Sequence, residues 1–550
     1  MSKKAVQAVK QGDLKLHPKT FEKEWNRWLT NCRDWCISRQ LVWGHQIPAY
    51  KINDKIWIAA KSCEEAERKF NDKFPGVSVE KIERDQDVLD TWFSSGLLPF
   101  SVFNWPETNE DFKKLFPLSL LETGHDILFF WVARMVMLSM ELTGQVPFKE
   151  VLLHGIICDA YGRKMSKSLG NVIAPDQIIH GSTLAELQKE TEASVTLGIL
   201  SKSELEKSLD GQKKMFPFGI KECGIDSLRF TLLSHNIKQH FISFDVTDTH
   251  TNRNFFNKIF QAIKFSNNLA EQQEIVIRDI KTLEGVELSE MDRWLLSRLG
   301  NTVGIVRQSM NNYRFHIATA ALKSFLYENL CNVYLESAKA LRLSKNNEKI
   351  ATASKVSNVA ISVAIDHLEP FTPFLASQLK NYLPMDCEIS PENYIDEALE
   401  KKVEILLQIC QSIREMKGEC RITKRIPSEV QILIKSAEHE SFLKSHAEVI
   451  KVLTFTDDLA MTTNSEIFEA EDFIALSTAG HLCSFGIRTL NKNSLKLENL
   501  VNQKKFVKLE NELMNLMNAV NNDGYRQNAS ERVKQKHQDK VRFKQKLIKF

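Results

Sequence analysis

The sequence has no hydrophobic run long enough to cross a bilayer. Its most apolar stretch, Ile127 to Met140, is interrupted by Arg134 and falls short of the roughly 20 residues a membrane helix needs. It is expected to be a buried helix. Met1 to Lys15 contains no apolar block, so no secretory leader is expected there. The ten cysteines are scattered. Cys32 and Cys36 stand four apart with His45 nearby, but no second pair follows at zinc spacing, so no metal ligand set is read and both are expected to be core thiols. A net charge of +3 is too small to argue for nucleic acid by itself. Tryptophan is missing from the second half: all nine lie before residue 295, which places the ring-rich core early in the chain. What remains is an ordinary globular composition, 43% apolar and 26% charged. At 550 residues it should form several domains, in an intracellular setting with reduced thiols.

The stretch from His154 to Ser168 organises the rest. Val151 to Cys158 reads as a buried strand. A turn with Asp159 and Gly162 follows and delivers Arg163, Lys164 and Lys167. Lysine ammoniums on a loop suit a mobile polyphosphate, because each is a point charge with three donors. A transferring phosphoryl group needs such charge where negative charge develops. A bare K-x-x-K is equally compatible with an exposed basic loop.

Three upstream segments offer further chemistry. From Phe21 to Arg39 the apolar residues Phe21, Trp25, Trp28, Leu29, Trp35 and Cys36 recur at helical spacing, and Gln40 to Tyr50 is strand-like, punctuated by Gly44 and Pro48. Asp87 to Gly96 combines carboxylates, Trp92 and small hydroxyls beside a glycine. It would line a pocket with one apolar wall, or else be a core Trp beside a capped turn. In Glu122 to Met135, Gly124 would let backbone approach a ligand closely. Asp126 begins a helix, where its carboxylate either caps the helix or accepts bonds from a ribose. Ile127 and Trp131, four apart, would share one helix face.

The pentapeptide Lys164-Met165-Ser166-Lys167-Ser168 after a strand resembles the second ATP-binding motif of class I aminoacyl-tRNA synthetases. Arg33 to Gln40 with its Gly44-His45 tail resembles the point where valyl-tRNA synthetases re-enter the catalytic domain after the editing insertion. It departs from that pattern at Val42 and Gln46, where Trp and Arg are usual. Asp87 to Gly96 is also similar to the valyl type. The resemblance implies that Lys164 and Lys167 act on the departing pyrophosphate and that Met165 and Ser166 belong to the ATP loop. It implies that Gly124 and Asp126 hold the adenylate ribose, that His154 and Gly155 pack near adenine, and that Trp92, Ile127 and Trp131 wall the valine pocket. Implied substrates and partners are ATP with Mg²⁺, valine and tRNA(Val). No membrane is expected. The implied location is the cytoplasm, with the mitochondrion as alternative.

Downstream, residues 182 to 216 read as a charged helical insertion similar to eukaryotic members of the family. Residues 285 to 430 are helical by periodicity, and the resemblance makes them the anticodon-binding bundle; Arg293, Arg298 and Arg314 are candidate phosphate contacts, though any one of them more often belongs to a solvated surface. Residues 431 to 494 suggest a small mixed element. Phe506, Leu509, Leu513, Leu516 and Val520 form a coiled-coil seam, and residues 532 to 549 hold eight Lys or Arg against Asp539, suited to RNA phosphates or to a solvated face.

The expected architecture is α/β, the second half of a Rossmann-type class I catalytic domain over residues 1–240. An all-α anticodon-binding domain follows over 241–430, then the mixed element, then a C-terminal helical-hairpin coiled coil over 495–550. No His-x-Gly-His, the first ATP motif, is present, since Gly44-His45, Gly124-His125 and His154-Gly155 all lack the second histidine. The resemblance therefore covers the family without its first ATP motif and editing domain, and valine activation by this chain alone is expected to be poor. Other partners would be the missing N-terminal half or translation factors. The alternative is a non-catalytic tRNA-binding paralogue.

Overall fold

The computed structural model describes residues 1–489 except 160–161, 167–168, 272–282, 284, 345, 384–388, 425, 470–472, 474 and 480–481, together with 514 and 517. Lys167 and Ser168 lie outside the described residues. So does the expected coiled-coil arm, apart from Met514 and Met517. The described chain divides into two units: residues 1–261, 302–324 and 362–383 form one, and 262–301, 325–361 and the described residues of 384–550 form the other.

The first unit is built on a three-stranded parallel sheet. Its centre is Phe148–His154, flanked by Lys15–His17 and Leu118–Gly124. Val151, Leu152 and Leu153 are buried, the continuous apolar run expected of a strand covered on both faces. Helices Ser2–Gln11, Phe21–Thr30 and Arg134–Leu142 supply Ala5, Trp25, Leu29, Met135 and Val136 to the same core. The Trp25 indole N–H, buried with its ring, donates to the Ala5 carbonyl at 3.2 Å. The register sets Leu118 opposite Phe148 and Gly124 opposite His154, so the two strands end level.

Several expectations are corrected here. Val151 to Cys158 is not one strand: the chain breaks at Gly155, and Ile156–Cys158 is a separate strand paired in parallel with Phe241–Ser243. Glycine is required at the break, because a Cβ on residue 155 would stand 2.0 Å from the Gln239 carbonyl oxygen. The helix begun at Phe21 stops at Thr30, so Trp35 lies beyond it. Cys36 is exposed and Cys32 half-buried, so neither is a core thiol. Within Gln40 to Tyr50 only the end is strand. Ala49–Ile52 pairs with Ile56–Ala59 and Ile82–Arg84, and the helix Cys63–Lys73 packs on this sheet through Ala66 and Phe70. Ile127 to Met140 starts as a 3₁₀ turn, widens into a π segment over Leu128–Ala133 and only then becomes α-helix. The insertion forms two helices, Leu184–Thr196 and Lys202–Met215, as its periodicity implied.

In the second unit Trp294, Leu295, Leu299, Phe325, Leu326, Leu330 and Tyr334 are buried, the positions their helical spacing singled out. Arg298 is not a spare cation: its guanidinium donates to Glu400 at 2.8 Å, and the Asn301 amide shares that carboxylate at 2.7 Å. The helix Glu397–Glu419 leads into a four-stranded sheet ordered Asp458–Thr462, Ser428–Ile434, Cys483–Thr489, Ala475–Ala479. Lys417 ties this helix to the sheet. Its buried ammonium donates to Ser428 Oγ at 2.7 Å, Thr456 Oγ1 at 2.9 Å and the carbonyls of Thr454 and Phe455 at 3.2 and 2.9 Å.

Burial pushes Lys417 from the ordinary 10.5 down to about 8, against the attraction of Asp457. Between those values the unfolded chain holds a proton that the folded chain has released. Lys417 therefore makes the fold gain stability as pH rises from about 8 to 10.5. Denaturant midpoints measured across that window should rise more steeply for the wild type than for Lys417→Met, and parallel pH curves would refute this assignment.

Candidate active site at the ends of two parallel strands

Ligands of parallel α/β sheets bind beyond the carboxyl ends of the strands. Here those ends are Gly124 and His154. A Cβ on Gly124 would lie 2.7 Å from Asp126 Oδ1 and 3.2 Å from His154 Nε2. Only glycine lets the two polar side chains converge over the strand end. His154 Nδ1 meets Glu122 Oε1 at 2.7 Å, and His125 Nδ1 lies 3.2 Å from the His154 carbonyl. Asp126 sits in the 3₁₀ turn after the strand with an exposed carboxylate and makes no capping bond. Gly155 serves the break described above: its N–H donates to the Ile237 carbonyl at 2.8 Å.

The basic loop folds back toward this point. Asp159 N–H donates to the Arg163 carbonyl at 2.9 Å, and Lys164 forms a bridge with Cys158, so the chain reverses tightly after its strand. Lys164 Nζ then reaches 4.0 Å from Asp126 Oδ2, with both side chains about half exposed. An exposed pair at that distance contributes roughly 0–1 kcal/mol, so it places the ammonium without fixing it. Met165 packs partly buried beneath the loop.

Asp159, read from the sequence only as a turn residue, and Asn171, not singled out there, shape the loop. The buried Asp159 carboxylate accepts the Arg163 N–H at 2.9 Å, Arg163 Nε at 2.8 Å and the Asn171 amide at 3.2 Å. Burial alone would push its pKa up, but these bonds bring it below the ordinary carboxylate value. Asn171 Oδ1 accepts the Ser166 N–H at 2.9 Å, and its amide also donates to the Lys164 carbonyl at 3.3 Å. Behind the loop, Ser208 of the insertion donates to the Leu169 carbonyl at 3.1 Å beside a cavity of about 80 Å³. The sequence signal for Asp159 and Asn171 was their turn chemistry flanking the basic residues.

The aromatic residues come from two elements. Trp92 lies in the short helix Thr91–Gly96 and stacks against Phe130 with centroids 6.1 Å apart. The Trp131 indole N–H donates to the Ser95 carbonyl of that helix at 3.1 Å. Ile127 and Trp131 do not share a simple α-helical face, because the π segment lies between them. Such wide turns occur often at functional sites.

Asp90 holds this group together. It is buried and caps the Trp92 N–H at 3.1 Å, and it also accepts Trp35 Nε1 at 3.0 Å and Arg39 Nη2 at 2.6 Å. Arg134 stacks 3.7 Å over the Trp35 ring and lies 3.9 Å from Asp90, and burial lowers its basicity. Through Trp35 and Arg39, Asp90 ties the Arg33–Gln40 segment to the Trp92 helix.

Two level strand ends gated by glycine, with Lys164 approaching them, make this the candidate site. Residues 1–243 match the family described as tRNA synthetases class I (I, L, M and V), and residues 292–432 match the anticodon-binding domain of tRNA ligase. The chain belongs to the class I aminoacyl-tRNA synthetases, and across most of its length it is homologous to the valine–tRNA ligases. It is 38% identical over 515 residues to the valine–tRNA ligase of Caenorhabditis elegans, covering 88% of this chain and 48% of that one. To the mitochondrial valine–tRNA ligase of Saccharomyces cerevisiae it is 33% identical, covering 98% of this chain and 50% of that one. The chain thus spans about half the length of these relatives, which include proteins named as mitochondrial and as cytoplasmic. A methionyl-tRNA synthetase of Mycobacterium tuberculosis in complex with methionyl-adenylate is similar at 17% identity and a TM-score of 0.46, over 69% of this chain and 60% of that one.

Asn171→Ala removes the acceptor of the Ser166 N–H. Amide exchange at Ser166 should accelerate about fivefold, the effect of one net hydrogen bond, while the Phe148–His154 strand stays protected. Hydrogen exchange read by NMR checks this, and unchanged protection at Ser166 would show that the loop is held by other means.

Proposed function

We propose that this chain carries the valine-activating and tRNA-binding parts of a valine–tRNA ligase. The supporting observation is the approach of Lys164 to Asp126 at the level ends of two parallel strands. ATP lies across those ends with its ribose against Gly124 and Asp126, its adenine toward His154 and Gly155, and its phosphates under the loop of Lys164, Met165, Ser166 and Lys167. Valine's side chain contacts Trp92, Ile127 and Trp131. A valine carboxylate oxygen bonds to the α-phosphorus as the bond to the bridging oxygen breaks, and pyrophosphate leaves with charge stabilised by Lys164 and Lys167. A terminal ribose hydroxyl of tRNA(Val) then takes the valyl group and AMP departs. The protein's contribution is positioning and charge rather than covalent chemistry.

Among the described residues no group of three or more His, Cys, Asp or Glu stands close enough to hold a metal. Mg²⁺ enters with the triphosphate, as the substrate's own counter-ion. Location is read as cytoplasmic. Among the described residues no helix is long and apolar enough to cross a membrane.

Valine-dependent exchange of pyrophosphate into ATP tests the reading. A weak but valine-dependent rate is expected from the chain. Lys164→Ala should lower it about a hundredfold, the usual effect of removing one preorganised donor from a charged transition state. Retention of tRNA(Val) on a filter with no exchange at all would instead move the assignment to a non-catalytic tRNA-binding protein.

A further inference from the structure

The first unit contains a polar cavity whose residues take no part in the catalytic reading. It measures about 250 Å³ and opens among the helices Ile225–Leu233, Val246–Glu271 and Phe315–Ser324. Two imidazoles in its wall are incomplete: His235 Nε2 and His316 Nδ1 are buried and have no hydrogen-bond partner. A ring nitrogen either donates or accepts, and leaving one buried without a partner costs free energy. Such atoms mark a place for a polar occupant.

Charges of both signs face the same space. Lys323 and Asp248 both line the cavity, yet among the described residues neither is in an ion pair. The Lys323 ammonium donates to Asn252 Oδ1 at 2.9 Å and stands 5.7 Å from the Phe255 ring centroid. That bond uses one of its three N–H donors. The Asn252 amide is spent on Thr231 Oγ1 at 2.9 Å, so the anchor of Lys323 is itself fixed. Asp248 is exposed and precedes Asn252 by four residues on one helix, which sets the two side chains about one turn, roughly 5 Å, apart along the axis. Burial, helped by Arg314 and Lys238, holds His316 below the ordinary imidazole value. Its ring is therefore neutral near pH 7, and Lys323 carries the standing positive charge of the cavity.

An occupant with one charge would meet a like charge here. A phosphate, free or in RNA, faces Asp248, and a simple amine faces Lys323. A zwitterion satisfies both. An α-amino acid places its ammonium and carboxylate on one carbon, close enough together to bridge opposite charges one helical turn apart. Phe230 and Ala320 supply apolar wall for a short side chain. We propose that this cavity binds a small α-amino acid, its carboxylate on Lys323 and the unpartnered His235 and His316 nitrogens, its ammonium on Asp248.

Titration of the full chain with L-alanine, read by the imidazole resonances of His235 and His316, tests this. Both should shift along one saturating curve. Asp248→Asn alters only an exposed carboxylate. It should melt with the wild type yet bind L-alanine about tenfold more weakly, the loss expected of one charged hydrogen bond. Lys323→Gln should weaken binding similarly through the other charge. Propionate and ethylamine each keep one charged group, and both should bind the wild type at least tenfold more weakly than L-alanine. Those two probes need no variant, so the test stands even where Lys323→Gln fails to fold. Propionate or inorganic phosphate binding as tightly as L-alanine overturns the amino-acid assignment in favour of an anion site. Unchanged L-alanine affinity in Asp248→Asn also overturns it, and the absence of any shift at the two histidines overturns the site itself.

Discussion

The first unit depends on one register: Leu118–Gly124 runs parallel to Phe148–His154 with Gly124 opposite His154. A slip of one residue would turn the alternate side chains of Leu118–Gly124 to the other face and separate the glycine from the histidine it must clear. Because the register holds, two strand ends, the Asp126 turn and the start of the lysine loop fall within a few residues of one another. The loop inherits its position from this sheet through the break at Gly155 and the strand Ile156–Cys158.

Around that frame the polar interactions divide by burial. Asp159 and Asp90 are buried and fully engaged, one shaping the loop and the other joining Trp35, Arg39 and the Trp92 helix. The contact between Lys164 and Asp126 is exposed and long. Strong ties thus hold the scaffold while the ammonium at its tip stays adjustable, which suits a group that must follow charge as a phosphoryl bond breaks. The insertion touches the same loop from behind through Ser208.

Local pattern was read well where one element carried it. The paired insertion helices and the apolar positions of the second unit follow from periodicity that no neighbour overrides. Errors arose where a distant backbone intervened. Val151 to Cys158 looks like one apolar strand, and nothing local reveals the Gln239 carbonyl that approaches it closely at Gly155. Cys36 carries an apolar side chain at helical spacing, yet the helix had already ended at Thr30. Arg298 reads as a phosphate contact until Glu400, about a hundred residues later, is seen to hold it.

By itself the sequence determined the class of protein, because the lysine pentapeptide, the Trp92 segment and the Gly124–Asp126 turn are each short, contiguous and chemically specific. It also determined which stretches are helical, since an apolar stripe every three to four residues needs no partner to be recognised. The tertiary structure decided which charges are spent on the scaffold and which remain available. It assigned Asp90, Asp159 and Lys417 to internal ties and left the Lys164 side chain exposed. The physical reason is that a charged side chain's role depends on desolvation and on partners remote in the chain, and neither is written in the residues beside it.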